Sequence, residues 1–383
     1  MTRYKHRLVI APAVLALLAG SGLALAPAAS AAPSPIVIAV EGPLTGSQSD
    51  TGIDMYRGVK LAVDQVNAKG GVLGRQVKIV KSDDQANPDL ALAAAKKVKA
   101  AGAVAVIGPF NSSVGLVNLP YYVSNKVVAL QLTSTDDTTG EGVTIQPKNS
   151  QISPVEIDYL QNGYGYTGCP KVVMLVDPSA YTAGMADRIG KAMMCGDGVP
   201  VATIPVIPGQ ADYTAAVASA LALTPDILYV STYFPEGSKI ATAIAASKTA
   251  AHCFMGLANV DPAFVTGAGI PASQNCRFSG VPEAAQMPNA KNYVAAYKKA
   301  FKAQPGVWGT FTYDSANILF AAMTKANSTD YSAVMKKVLA TKGFAGQTGT
   351  ITINPKTGNR TKVPVYILKV DKSGTFVIDT DAP

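Results

Sequence analysis

IVIAV (36–40) leads into EGPLTG (41–46), and VNAKGGVLGR (66–75), SDDQANP (82–88) and AVAVIGPFNSS (103–113) follow in turn. From Ile36 to Ser113 the order reads strand, polar loop, helix, strand, helix, strand. Hydroxyl and amide side chains collect where the strands end. In an open α/β sheet, ligands bind in the crevice beyond the carboxyl ends of the strands. The stretch therefore predicts one half of a two-lobed, exported protein that holds a small molecule.

Outward from that stretch the same rhythm continues. Short apolar runs recur at Val77–Val80, Val104–Ile107, Val127–Leu130, Val172–Val176, Val201–Val206, Ile227–Val230, Phe254–Gly256 and Phe278–Val281. Between them lie helically spaced sets such as Val59, Ala62, Val63 and Val66. Strands alternating with helices indicate parallel βαβ units. The series divides near Pro147–Pro154, which predicts an α/β fold of two Rossmann-like lobes. Later helices near 289–302 and 313–326, then strand candidates Thr350–Ile353 and Val363–Val370 joined by a turn at Asn354–Asn359, must pack on lobes already begun. The chain is expected to cross between lobes more than once.

The N-terminus reads as an address. Arg3, Lys5 and Arg7 precede a largely apolar run from Leu8 to Leu25, and Ala29-Ser30-Ala31 is a small-x-small cleavage site. Cleavage after Ala31 leaves 352 of the 383 residues, enough for two domains. No cysteine lies near the site, so no lipid-anchored N-terminus is expected. The formal charge of +8 falls to +5 without the leader, and the remaining basic residues are scattered. That pattern disfavours nucleic acid, which wants a clustered basic stripe with stacking aromatics. No later segment approaches the roughly 18 apolar residues of a membrane span.

Export permits disulfides, and Cys169, Cys195, Cys253 and Cys276 allow three pairings. The pairings 169–195 and 253–276 are favoured. Cys169 opens a strand and Cys195 ends the following helix, while Cys253 and Cys276 each precede a strand candidate. Each loop of a little over twenty residues contributes about 3 kcal/mol in the chain-entropy account. No cysteine pair has zinc spacing, and His252 is the only histidine after the leader. Neither a metal nor a cofactor is expected.

Catalytic patterns are sparse. GYGYTG (163–168) satisfies G-x-G-x-x-G, but it follows a helix and precedes a strand, the reverse of a dinucleotide loop. No G-x-S-x-G elbow is present, and a Ser-His-Asp triad would depend on His252 alone. Asp83-Asp84 reads as loop and capping groups rather than a catalytic pair. The chain is expected not to be an enzyme. Polar residues just past strand ends carry more: Ser112 and Ser113, Thr133, Ser134 and Thr135, Tyr181, Tyr233 with Glu236, and Asn259 with Asp261. Any one of them alone reads better as a helix cap. Five such strand ends across both halves point to a ligand site. Hydroxyls and helix N-termini suit an anion such as a carboxylate.

At these residues the chain resembles the type I periplasmic binding proteins of branched-chain amino acid (Leu/Ile/Val) ABC transporters. The matching pieces are GPLTG (42–46), VNAKGGVLGR, SDDQANP, VIGPFNSS (106–113), DPSAYTAGMADRI (177–189), LYVSTYFPEG (228–237) and YDSANIL (313–319). The resemblance implies two lobes joined by a three-strand hinge, with lobe 1 as 36–150 plus 283–345 and lobe 2 as 151–282 plus 346–383. It implies that Ser112, Ser113, Thr133, Ser134 and Thr135 take a ligand carboxylate, and that Tyr181 and Tyr233 cover the ligand on closure. It also implies permease subunits as partners and a monomer that is not membrane-spanning. One departure bears on the ligand. The family usually has a glutamate after the strand matching FMG, where it accepts the ligand ammonium, and here Ala258 stands, with Asn259 next and Asp261 further on. An aromatic contact expected from the first loop falls near Thr51. Other readings are a sensing module of the same fold feeding a membrane receptor, and a secreted α/β enzyme.

Overall fold

A computed structural model describes residues 33–194, 202–287 and 289–382. The leader through Ala31, and Cys195 with its expected bond to Cys169, lie outside the described residues. The first half builds β1 (Ile36–Gly42), α1 (Ser49–Asn67), β2 (Val77–Asp83), α2 (Pro88–Ala100), β3 (Ala105–Ile107), α3 (Ser112–Ser124), β4 (Val128–Gln131) and β5 (Val143–Thr144). After α4 (Asn149–Asp158) come β6 (Val172–Val176), α5 (Ala180–Ala192), β7 (Ala202–Pro205), α6 (Thr214–Leu221), β8 (Ile227–Ser231), α7 (Glu236–Ser247) and β9 (His252–Met255). Next are α8 (Pro262–Ala268), α9 (Ile270–Gln274), β10 (Cys276–Gly280), α10 (Lys291–Phe301), α11 (Val307–Ala326) and α12 (Tyr331–Leu339). The short strands β11 (Phe344–Gly346), β12 (Gly349–Ile351), β13 (Tyr366–Val370) and β14 (Phe376–Ile378) close the chain.

Two parallel-rich sheets result. The first has the order β2-β1-β3-β4-β5 and is wholly parallel; the second runs β14-β13-β10-β9-β8-β6-β7, with β13 and β14 antiparallel. Their inner strands are buried along their length, which is why they read as continuous apolar runs. Strand order reverses between β1 and β3 in the first sheet and between β6 and β8 in the second. The loops leaving those strands are 43–48, 108–111, 177–179 and 232–235, so Ser112, Ser113, Tyr181, Tyr233 and Glu236 stand at the two switch points, while Thr133, Ser134 and Thr135 follow β4 and Asn259 and Asp261 follow β9.

Late elements return to the first sheet. Helix α11 lies along α1 at backbone contact: a Cβ on Gly58 would sit 2.0 Å from the Gly309 carbonyl oxygen. Asp54 of α1 accepts from the Gly306 and Gly309 amides at 3.0 and 2.6 Å, so an α1 carboxyl caps the start of α11. This docking fixes Trp308, the only tryptophan of the chain. The Asn354–Asn359 turn forms, but it closes a single bridge between Ile353 and Arg360. The expected strand partners separate: Thr350 pairs in a small β11–β12 hairpin, while β13 joins β10. Asn359 bridges to Thr144 of β5, holding the turn on the first sheet.

Cys253 and Cys276 form the expected disulfide across neighbouring strands β9 and β10, with Cα atoms 4.5 Å apart. His252 is exposed at the start of β9 and stacks on Tyr164, at the sheet edge away from the switch points. Asp83 accepts from the Leu44 amide and the Thr45 hydroxyl and so pins the GPLTG loop. GYGYTG sits in the connection between α4 and β6.

Candidate functional site

Between the sheets, the two switch points face each other across a narrow chamber. From the first sheet's side come Phe110, Leu132, Ser134, Gln146 and Trp308; from the second come Tyr181, Tyr233, Leu257 and Ala258. The aromatic rings form a continuous wall. Trp308 meets Phe110 at 4.8 Å, Phe110 meets Tyr233 at 5.9 Å, and Tyr233 meets Tyr181 at 5.5 Å, all edge-on. In this closed arrangement the chamber measures about 10 Å³, room for a single water. An outer cleft of about 310 Å³ adjoins it, bordered by Gln48, Asn111, Ser113, Asp177, Tyr233 and Glu236. That size falls at the lower end for small-molecule sites.

Ser112 begins α3 and is buried. Its Oγ accepts from the Thr135 amide at 3.1 Å, which ties the helix start to the loop after β4. The Tyr233 hydroxyl lies beside the Ser112 amide and hydroxyl and the Asn111 side chain. Burial pushes this phenol well up, so it stays neutral at any ordinary pH. Ser113 reaches the other way, and its Oγ accepts from the Ala180 amide at the start of α5, 2.9 Å away. One serine thus faces the niche and its neighbour stitches the two sheets together.

The 131–135 segment alternates. Leu132 and Ser134 face the chamber, while Gln131, Thr133 and Thr135 turn to the opposite side, as extended chain dictates. On that side Lys148 is fully buried, and its ammonium donates to the Thr133 and Thr135 carbonyls at 3.0 and 3.1 Å and to the Thr138 hydroxyl at 2.7 Å. Burial lowers its pKa to about 7, against the pull of Asp136 and Asp137. The Thr133 hydroxyl is spent on Gln131 and Thr138, and that of Thr135 caps the turn at Asp137. Ser134 Oγ donates to the Pro147 carbonyl and accepts from Gln146 Nε2, each at 3.0 Å.

On the second sheet's side the expected acids are occupied. Glu236 accepts from the Gly209 amide at 3.0 Å. Asn259 is buried against Gly237, with Nδ2 on the Thr232 carbonyl at 2.9 Å. Asp261 caps α8 through the Ala263 amide at 2.8 Å, and its other oxygen meets the Thr51 hydroxyl from α1 at 3.4 Å. Burial raises this carboxyl to about 6. Thr51 therefore gives a polar contact between the sheets where an aromatic one was expected. Asp177 holds the Ser179 amide, the Thr182 hydroxyl and the Tyr233 amide.

The structure thus brings Ser134, Tyr181 and Tyr233 to the chamber, and Ser113, Tyr233 and Glu236 to the outer cleft. Ser112 stands at the niche between them. Thr133, Thr135 and Asn259 point into local networks, and Asp261 divides between the α8 cap and Thr51 of α1. Sequence reasoning missed Phe110, Leu132, Gln146, Leu257 and Trp308 as lining groups. For Trp308 a signal existed, since a lone tryptophan in a long chain invites a role. Two buried polar atoms at the site, Gln146 Oε1 and Asn111 Oδ1, lack partners, while the Tyr181 hydroxyl lies beside the Ala258 amide.

Two α/β sheets that meet switch point to switch point over an aromatic-walled cleft define a two-lobed binding protein. A family model described as periplasmic binding protein matches residues 35–375, and the chain belongs to that family. A Leu/Ile/Val-binding protein, BraC3, from Rhizobium johnstonii is 28% identical over 360 residues, covering 91% of this chain and 94% of its own. A leucine binding protein, LivK, from Thermotoga maritima superposes with a TM-score of 0.82 at 22% identity, covering 90% of this chain and 98% of its own. The branched-chain amino acid transporter substrate binding protein LivJ from Streptococcus pneumoniae, in complex with isoleucine, gives 0.79 at 20% identity, covering 90% and 99%. These likenesses bear out the expected fold class.

Proposed function

We propose that the protein is the exported solute-binding component of an ABC uptake system, closing two lobes on a small amino acid or related carboxylate and presenting the closed form to permease subunits. The observation that carries this reading is the cleft itself. The niche at Ser112 offers a helix N-terminus and a hydroxyl to an acidic group, and Tyr181 and Tyr233 from the opposite sheet form its lid. Ser112, Ser113, Ser134, Tyr181 and Tyr233 are the groups assigned to ligand, while Thr133, Thr135, Asn259 and Asp261 shape the loops around them, and Glu236 borders the entrance. The ligands of two relatives, Leu/Ile/Val for BraC3 and isoleucine for LivJ, fit the same size class.

The proposed lobe division is 36–150 plus 283–345 against 151–282 plus 346–383, with one adjustment. The Thr144–Asn359 bridge favours keeping residues 346–361 with lobe 1, so that the last crossover precedes β13. The leader directs export with cleavage after Ala31, and the mature chain works as a monomer. No helix among the described residues is long and apolar enough to cross a membrane.

A melting-temperature screen of amino acids, amides and small carboxylates tests the reading. A ligand at one hundred times its dissociation constant adds about 2.7 kcal/mol, a shift easily read. A panel in which no such compound moves the transition would overturn it.

A further inference from the structure

We propose that the surface formed by α12 and the segment after it docks the protein peripherally on a membrane of anionic phospholipid. Residues 325–362 carry six lysines and Arg360 against one acid, Asp330, a balance of +6. Without the leader the whole chain totals +5, so everything outside that segment sums to −1. The lysines stand apart in sequence, and folding gathers them. Arg360 is buried beside Asp314, whereas Lys325, Lys336, Lys337, Lys342, Lys356 and Lys362 are all exposed. None of these six forms an ion pair among the described residues.

Two depressions lie among them. The larger, about 660 Å³, is lined by Leu339, Ile353 and Pro355, with Lys336 and Lys342 beside them. The smaller, about 180 Å³, shares Thr341 and Lys342 with it and adds Lys325 and Lys337. No acidic side chain lines either one. Four lysines thus border an apolar trough, the complement of an amphiphile with a negative head. A lysine is a hydrated point charge on a flexible stem, suited to a moving layer of phosphates rather than to one fixed partner. Its methylenes lie along apolar surface while the ammonium reaches outward. The trough then seats the apolar part of a lipid and the lysines take the headgroup phosphates. The patch belongs wholly to the first sheet's side: α12 packs on β4, and Asn359 bridges to Thr144 of β5. None of its residues lines the chamber or the outer cleft. Docking through it leaves the other lobe free to move and the ligand's path open.

The test is sedimentation of the full chain, freed of its leader, with vesicles of equimolar phosphatidylglycerol and phosphatidylcholine and with vesicles of phosphatidylcholine alone. Binding is expected to the charged vesicles only, with release at about 1 M salt, where screening shortens to about 3 Å. Each lysine near an anionic surface contributes about fivefold, so Lys336→Gln/Lys342→Gln should weaken partitioning about 25-fold. Lys298→Gln/Lys299→Gln, the same change of charge at two exposed sites on α10, should leave it nearly unchanged. Leu339→Gln, which alters no charge, should weaken it severalfold. Equal binding to both vesicles, equal loss in both double variants, or Leu339→Gln without effect overturns the inference. So does absence of vesicle binding; if the chain then binds polyglutamate through Lys336 and Lys342, the patch belongs to an acidic protein instead. Solute affinity should be the same in every variant, so failure here leaves the solute-binding reading intact.

Discussion

Arg188→Ala isolates one bond that holds the lobes together outside the ligand site. Arg188 on α5 meets Asp136, in the loop after β4, at 2.8 Å, with the two side chains 39% and 31% exposed. Pairs that exposed are worth about 0.2–1 kcal/mol. If the bond forms only on closure, its loss weakens ligand binding by roughly 1.4- to 5-fold at about 1.4 kcal/mol per decade. Asp136 is not stranded by the change, because its carboxylate also accepts from the Ser150 amide and hydroxyl at 3.1 and 2.6 Å. Asp136→Ala should therefore cost more than Arg188→Ala, since it also frees the start of α4. Trp308 stands in the chamber wall, so its emission can follow the titration. Screening tightens from about 10 Å at 0.1 M salt to about 3 Å at 1 M. The ratio of mutant to wild-type dissociation constants should thus shrink toward one at 1 M salt. An unchanged affinity at low salt, or a ratio indifferent to salt, would refute a closure-linked role for this pair.

Tyr233→Ala removes the ring that touches Phe110 and Tyr181 across the cleft and should weaken ligand affinity tenfold or more; an unchanged dissociation constant would count against its role as lid. Gly58→Ala should lower the melting temperature sharply and broaden ligand response, because a methyl there collides with the Gly309 carbonyl at 2.0 Å and lifts the helix that carries Trp308. Stability should fall as pH rises from about 5 to 7. Glu41, Asp84 and Glu156 are raised by burial to about 8, 7 and 7, so across that range the folded chain holds protons that the unfolded chain has released. Above about 7, Lys148 acts in the opposite sense, its folded pKa being depressed. Glu41→Gln should flatten the decline in urea-unfolding free energy, and a slope unaltered by that change would disprove the assignment.

Much of the fold was legible because parallel strands buried on both faces leave apolar runs, and VVMLV or ILYVS can be little else between helical patterns. Strands β5, β11 and β14 escaped notice because two or three residues carry no periodicity. The tail was misjoined for a different reason: Thr350–Ile353 and Val363–Val370 each look like strands, and nothing local says that they belong to different sheets. The site was legible in its loops and not in its detail. Strand ends identified the 132–135 segment, but only the pleat decides that Ser134 faces the chamber while Thr133 and Thr135 face Lys148. Trp308 and Gln146 arrive through tertiary packing, the one by the docking of α11 on α1 and the other from the first crossover. No spacing in the sequence links them to Ser112, some two hundred and some thirty residues away.

Closure of two lobes on a bound acid is the claim from which the rest descends. Small-angle X-ray scattering of the exported chain, alone and saturated with whichever acid or amino acid raises its melting temperature, tests it most directly. A smaller radius of gyration on saturation is expected in wild-type protein, with the contraction reduced in Tyr233→Ala. A ligand that binds tightly and leaves the radius unchanged would contradict it.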